Sequence, residues 1–373
     1  MLNRAIQKAI ENDFFGGKAI ILLGPRQVGK TTLIQKILSD KEYLFLNGDD
    51  SSVRSLLNQP DTFRLKQIIG NHTIVFIGEA QRIPHIGLTL KLITDQFKSV
   101  QLIVSGSSAL EISNQTNESL TGRKWEYQLY PISWQELETS IGFVEGEKQL
   151  EHRLIYGMYP DVINNTGKEQ KVLQELTESY LYKDILALAT IRKPELLEGL
   201  LQALALQVGN EVSYNELAQL LQVDKTTIIT YLDLLEKAFI IFRLRSFSRN
   251  MRNEIKNNRK IYFWDNGIRN MLLANLNPIN LRQDKGALWE NFLIAERMKR
   301  AEYSNIIANF YFWRNVQQQE IDFVEEKNGE ITCFELKWKD NGRNKIPASF
   351  QKAYNAKFSV ISRENFRTFI LNE

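Results

Sequence analysis

The sequence predicts an α/β protein in three parts: a parallel sheet carrying a phosphate-binding loop, a helical linker with a helix-turn-helix and wing strand, and a second α/β unit. Three observations predict it. Residues 18–38, "KAIILLGPRQVGKTTLIQKIL", pass from an apolar strand through a glycine loop into a helical pattern. Two further apolar runs, "TIVFIG" at 73–78 and "VQLIVSG" at 100–106, follow at crossover spacing, as a parallel sheet requires. Near the other end, "FVEEKNGEITCFEL" sets two strand-like runs about Asn328-Gly329, the strongest short-range hairpin signal.

The 373 residues are 43% hydrophobic and 24% charged, ordinary values for a globular chain of two or three domains. We divide it at 1–140, 141–265 and 266–373. No apolar run approaches a membrane span. "MLNRAIQKAIENDFF" reads as an amphipathic helix without a signal-peptide core. A single cysteine, Cys333, leaves no internal disulfide, so a reducing, cytoplasmic compartment is expected. The net charge of +3 says little about nucleic acid; the distribution of charge says more.

The first element to justify is the loop. Residues 24–31, "GPRQVGKT", fit G-x-x-x-x-G-K-T. The expected nucleotide contacts are Gly24, Pro25, Arg26, Gln27, Val28, Gly29, Lys30, Thr31 and Thr32. The glycines let backbone N–H groups turn toward phosphate oxygens, and the helix N-terminus adds partial positive charge. Lys30 would reach the β and γ phosphates, and the Thr31 hydroxyl would bind magnesium, so ATP and Mg2+ are the implied ligands. Glu79 and Ser105 arrive at the carboxyl ends of the next two strands, where ligands of such sheets sit. Glu79 is the candidate base that orients water; its plainer reading is a solvated strand end. A nucleotide hydrolase usually places an aspartate before that glutamate. Here the residue is Gly78, which also frees the backbone beside Glu79. The expectation is a chain that binds ATP and turns it over slowly.

Residues 150–208 have helical spacing, including "ELTESYLYKDILALATI". In the next stretch, Ser213 and Glu216 form a capping-box signature, and Asp224 can cap a second helix over Lys225 to Leu235. Leu217, Leu220, Val223, Ile228, Leu232 and Leu235 make one apolar set, as in a helix-turn-helix. Lys225, Thr226, Thr227 and Thr230 remain on the outside. Residues 243–260 then hold seven basic residues against Glu254. Such a run suits DNA phosphates, and a solvated loop equally well.

In the hairpin, a two-residue turn pairs Lys327 with Glu330 and so sets Asp322 opposite Glu335, with Lys337 on the same face. Opposed like charges need compensation. A divalent cation on oxygen ligands supplies it; a lysine–carboxylate charge cluster is the alternative. Carboxylates holding Mg2+ or Mn2+ beside a lysine are what metal-dependent phosphodiester cleavage needs.

"GPRQVGKTT", "GEAQRIPHIG", "VSGSSALEI" and "SLTGRKWEYQLYPISWQEL" together resemble the prokaryotic AAA-type ATPases known only as ATP-binding proteins, over nearly the whole chain. The resemblance implies an AAA-type core, a winged helix and a C-terminal restriction-endonuclease-like domain. By it, Lys30 and Thr31 hold phosphate and magnesium, and Glu79 activates water. Ser105 or Ser107 senses the γ-phosphate. Arg123 faces a phosphate in its own subunit or in a neighbour of a homo-oligomer. The departure is Gly78, where the family has aspartate. The "YFWR" lead-in, Glu290, Asp322 and Glu335 with Lys337 resemble the nuclease-like Glu, Asp, Glu-x-Lys pattern. They imply metal ligands Glu290, Asp322 and Glu335, a catalytic Lys337, and DNA as partner. The function implied is an ATPase coupled to DNA engagement; its rival is a non-hydrolysing ATP-bound switch acting on DNA or a protein.

Overall fold

The computed structural model describes residues 2–107, 120–178, 194–248, 259–342 and 345–371. They form two compact units: Met1–Pro131 with Lys237–Phe239, and Ile132–Glu236 with Ile240–Glu373. The fold is mixed α/β, as expected.

The first unit holds a wholly parallel sheet in the order β2-β3-β4-β1-β5. Its strands are β1 (Ala19–Leu23), β2 (Leu44–Asn47), β3 (Ile74–Gly78), β4 (Gln101–Gly106) and β5 (Lys124–Gln128). β1, β3 and β4 are the three apolar runs of the sequence, and each is buried at every position. β2 and β5 escaped the sequence reading. They are the sheet's two edges, and "KWEYQ" is too polar to announce itself as a buried strand. Polar residues belong on edges, where they discourage further strand pairing. Because all five strands run the same way, the loops after β1, β3 and β4 share one end of the sheet.

The second unit holds a mixed sheet in the order β12-β11-β10-β9-β7-β8-β6. Its strands are β6 (Glu211–Val212), β7 (Ile241–Ser246), β8 (Arg259–Phe263), β9 (Asn309–Arg314), β10 (Glu320–Lys327), β11 (Glu330–Leu336) and β12 (Lys357–Ile361). The strand expected as a wing is β7. It pairs antiparallel with β8 and parallel with β9, so one sheet runs from the linker region into the C-terminal strands. The two expected helices form as Tyr214–Leu220 and Lys225–Lys237, with the Ser213 hydroxyl accepting the Glu216 N–H at 3.4 Å. Leu217, Ile228, Leu232 and Leu235 are buried, whereas Leu220 is 63% exposed and leaves the expected apolar set. Val223 is half-buried. Most of "ELTESYLYKDILALATI", and Arg249, Arg252, Glu254 and Lys256, lie outside the described residues. Among the described residues no helix is long and apolar enough to cross a membrane.

Candidate functional site

The phosphate loop leaves β1 and enters the helix Lys30–Ile37. Gly24 must be glycine: its φ is +155°, and a Cβ there would stand 2.0 Å from the Leu129 carbonyl oxygen. Gln27 takes a left-handed φ of +58°, strain of the kind that collects at ligand sites. Gly29, at φ +89°, caps the helix without a side-chain acceptor, which leaves the first-turn N–H groups for an anion. Arg4, unsuspected from sequence, braces this loop. It donates to the Val28 carbonyl at 2.7 Å and the Tyr130 carbonyl at 2.6 Å. Pro25, Arg26 and Val28 complete the loop, and Thr31 and Thr32 begin the helix.

The Lys30 ammonium is buried and donates to the Gly24 and Pro25 carbonyls, at 2.8 and 2.7 Å. Burial pushes its pKa down to about 8; Glu79 pulls it up and Arg26 pushes it further down. Since the unfolded value is higher, the burial penalty weighs on stability below pH 8 and fades as pH rises from there to 10.5. An anionic phosphate beside Lys30 reverses the shift. ATP binding at pH 8.5 should therefore take up roughly 0.7 of a proton. Calorimetry in buffers of different ionisation enthalpy measures this, and Lys30→Met should abolish it.

At the same sheet edge, Leu22 is level with Ser105 and Asn47 with Gly78. The Ser105 hydroxyl is buried and, among the described residues, has no hydrogen-bond partner, as a group awaiting a ligand would be. Glu79 takes a left-handed φ of +47°. It is not loosened by its glycine neighbour: Gly48 N donates to the Gly78 carbonyl at 2.8 Å, and a Cβ on Gly48 would stand 2.4 Å from the Glu79 carbonyl oxygen. The Gln81 amide joins the candidates, donating to Glu79 Oε2 at 2.8 Å and Ser107 Oγ at 2.9 Å. Its only signal was its place in "GEAQRIP". A Cβ on Gly78 would meet the Phe45 ring at 3.0 Å and lie 3.9 Å from Ser105 Oγ. Phe45, stacked on Phe76 with centroids 4.9 Å apart, crowds the place where the usual aspartate would begin. The Thr31 hydroxyl, in the first turn of the helix, would be the oxygen the loop offers a nucleotide's magnesium, and Gly78 offers none where the usual aspartate stands.

Arg123 is not brought to this loop. Its carbonyl accepts the Ala19 N–H at 2.9 Å and its Nε donates to Asp95 at 2.7 Å. That is the amino end of β1, and the phosphate loop leaves the other end, about 13 Å along the strand.

In the second unit the hairpin takes the expected register, from Lys327↔Glu330 to Phe323↔Phe334. Asp322 and Glu335 stand at the next step, where a bulge between Ile321 and Val324 re-aims the strand. Asp322 Oδ2 accepts the Leu336 N–H at 2.8 Å. Lys337 Nζ lies 3.5 Å from Asp322 and 2.6 Å from Glu335. Burial raises the Glu335 pKa, Asp322 raises it further, and Lys337 opposes both. Glu290, on the helix Lys285–Tyr303, is tied to other partners: its Oε1 accepts from Tyr262 at 2.6 Å and from Lys260 at 3.0 Å. Burial raises its pKa to about 7, against the pull of Lys260 and with the push of Asp322. So Asp322, Glu335 and Lys337 meet as expected, but the three carboxylates do not close on a common point. Among the described residues no three His, Cys, Asp or Glu groups are placed to hold a metal ion.

Lys260 fits neither reading of the basic run, DNA phosphates or a solvated loop: it is wholly buried. Arg243 of that run is tied to Glu236 at 2.9 Å and Asp233 at 2.7 Å; Arg245 is exposed.

Residues 16–138 match a family model described as an AAA domain. Residues 147–279 and 285–370 match two domains of unknown function, DUF8612 and DUF4143. The uncharacterized protein Rv2008c of Mycobacterium tuberculosis is 25% identical over 343 residues, covering 90% of this chain and 72% of its own. The uncharacterized protein MJ1544 of Methanocaldococcus jannaschii is 23% identical over 361 residues, covering 89% and 78%. Among solved structures, the Walker-type ATPase paby2304 of Pyrococcus abyssi is similar in fold, with a TM-score of 0.52 and 16% identity over 73% of this chain and 96% of that one. Residues 16–138 thus match an AAA domain and share their fold with a Walker-type ATPase, and two matches to domains of unknown function follow them.

Proposed function

We propose that this chain binds ATP with magnesium at residues 24–32, hydrolyses it slowly, and couples its nucleotide state to DNA engagement by the second unit. The observation that carries the first part is the buried Lys30 ammonium. It sits in a glycine loop and donates to the Gly24 and Pro25 carbonyls, at the end of the sheet that also holds Glu79 and a Ser105 hydroxyl without a partner among the described residues. Lys30 and the loop N–H groups bind and orient the phosphates. Thr31 would ligate the magnesium, which supplies charge neutralisation at the phosphates when bound. Glu79, fixed through Gln81, is placed to hold a water. A role for Arg123 at a phosphate is proposed only toward a neighbouring copy of the chain.

The order helix 194–206, β6, two helices about a short turn, β7 and β8 supports a winged-helix reading of the linker region. The second helix begins with exposed Lys225 and Thr226, and Thr230 is exposed one turn on. With Lys260 buried and Arg243 paired to Glu236 and Asp233, the run offers DNA fewer cations than the sequence suggests.

Calorimetry with MgATP and phosphate release with and without duplex DNA test the proposal. We expect binding, slow release, and acceleration by DNA. Binding with release at background, DNA or not, would leave the switch reading; no binding would remove both.

A further inference from the structure

The C-terminal cluster has the residue types of a metal-dependent nuclease centre, and its geometry argues against the metal. We propose that Lys260 is the fixed cation of this cluster, so that the cluster takes no divalent ion and the second unit binds without cleaving.

The argument begins with where the positive charge already sits. Lys260 projects from the second residue of β8 and has no exposed side-chain surface. Its ammonium lies 3.0 Å from Glu290 Oε1, pairs more closely with Glu320, and faces the Phe312 ring with its centroid at 5.6 Å. Lys337 takes the other two carboxylates, Asp322 and Glu335. Four carboxylates are thus met by two lysines, and Arg314 lies 3.7 Å from Glu320. The opposed Asp322 and Glu335 required a compensating charge; the chain supplies it from its own side chains.

One carboxylate oxygen each of Glu290 and Asp322 is also already engaged. Glu290 Oε1 accepts from both Lys260 and the Tyr262 hydroxyl. Asp322 Oδ2 accepts the Leu336 N–H and faces Lys337. A hard cation such as magnesium demands six well-placed oxygens at short range. Here it would have to displace a buried ammonium that cannot swing into solvent without breaking two ion pairs, or sit beside it as a like charge. Lys337, its side chain 38% exposed, could yield to a metal; Lys260, between Glu290 of the long helix and Glu320 of β10, is built in.

Manganese serves as the probe, titrated into the full-length protein without nucleotide and read by the electron paramagnetic resonance of free and bound ion. The expected result is that wild type and Asp322→Asn bind the same amount of Mn2+, and that neither Mg2+ nor Mn2+ shifts the melting temperature of the second unit. In Lys260→Ser, where space and negative charge are both released, Mn2+ should raise the melting temperature, and Glu290→Gln added to it should cancel the rise. A stoichiometric Mn2+ site in wild type that disappears in Asp322→Asn would overturn the proposal. So would Mn2+-dependent nicking of plasmid DNA lost in the same variant. The wild-type comparison decides by itself if Lys260→Ser fails to fold.

Discussion

Lys30→Ala should weaken MgATP binding by about a hundredfold, or roughly 2.7 kcal/mol. The lysine is the loop's buried point charge, and its bonds to phosphate are charge-assisted, worth about 1.5–3 kcal/mol each. An opposing term exists. In the free protein Lys30 already bonds the Gly24 and Pro25 carbonyls, and those bonds are exchanged, not added, when phosphate arrives. The exchange of neutral acceptors for anionic ones still favours the nucleotide, so the net loss remains large. The variant should keep or slightly raise its melting temperature below pH 8, since it no longer buries a charge whose pKa burial has lowered. Calorimetry with a melting curve separates the two effects. Unchanged affinity would refute the assignment of the loop.

Restoring the aspartate should speed hydrolysis, on one structural condition. Gly78→Asp with Phe45→Val should raise turnover at least about tenfold, 1.4 kcal/mol of barrier, with little change in ATP affinity. The carboxylate would help position magnesium for the charge that develops during phosphoryl transfer. Gly78→Asp alone should gain less and lose about 1 kcal/mol of stability through overpacking, because its Cβ would meet the Phe45 ring at 3.0 Å. Phe45 is partly exposed on an edge strand, so it can yield, but only by leaving its stack on Phe76. Flat turnover in the double variant would mean that a missing carboxylate is not what slows this site. The non-hydrolysing switch would then be the better account.

Where the sequence could be read, the signals were local. The glycine loop, β1, β3 and β4 each carry their own apolar or backbone logic, and the Asn328-Gly329 turn set the register of β10 and β11 by counting alone. What was not legible depended on distant partners. Lys260 looks like any lysine at the end of a basic run; only the approach of Glu290 and Glu320 makes it internal. Arg4 gains meaning from the carbonyls of Val28 and Tyr130. The position of Arg123 is hidden for a different reason: "KWEYQ" does not read as a strand, so the sequence does not show that the residue before β5 stands at the amino end of the sheet. Leu220 fits the apolar period of its helix and is exposed nonetheless, for which the fold gives no account.

The parallel join of β7 to β9 reaches beyond architecture into inheritance. Arg245 and Ser246 pair with Tyr311 and Phe312, and the Phe247 N–H reaches the Phe312 carbonyl at 2.6 Å. A gene rearrangement that parted the linker region from the C-terminal strands would leave β7 and β9 each with a bare row of backbone donors and acceptors. β9 would add the aromatic run "NFYFW" to that row. Such margins recruit other chains. Parting the two halves of this sheet would therefore trade an internal join for two edges open to pairing with other chains.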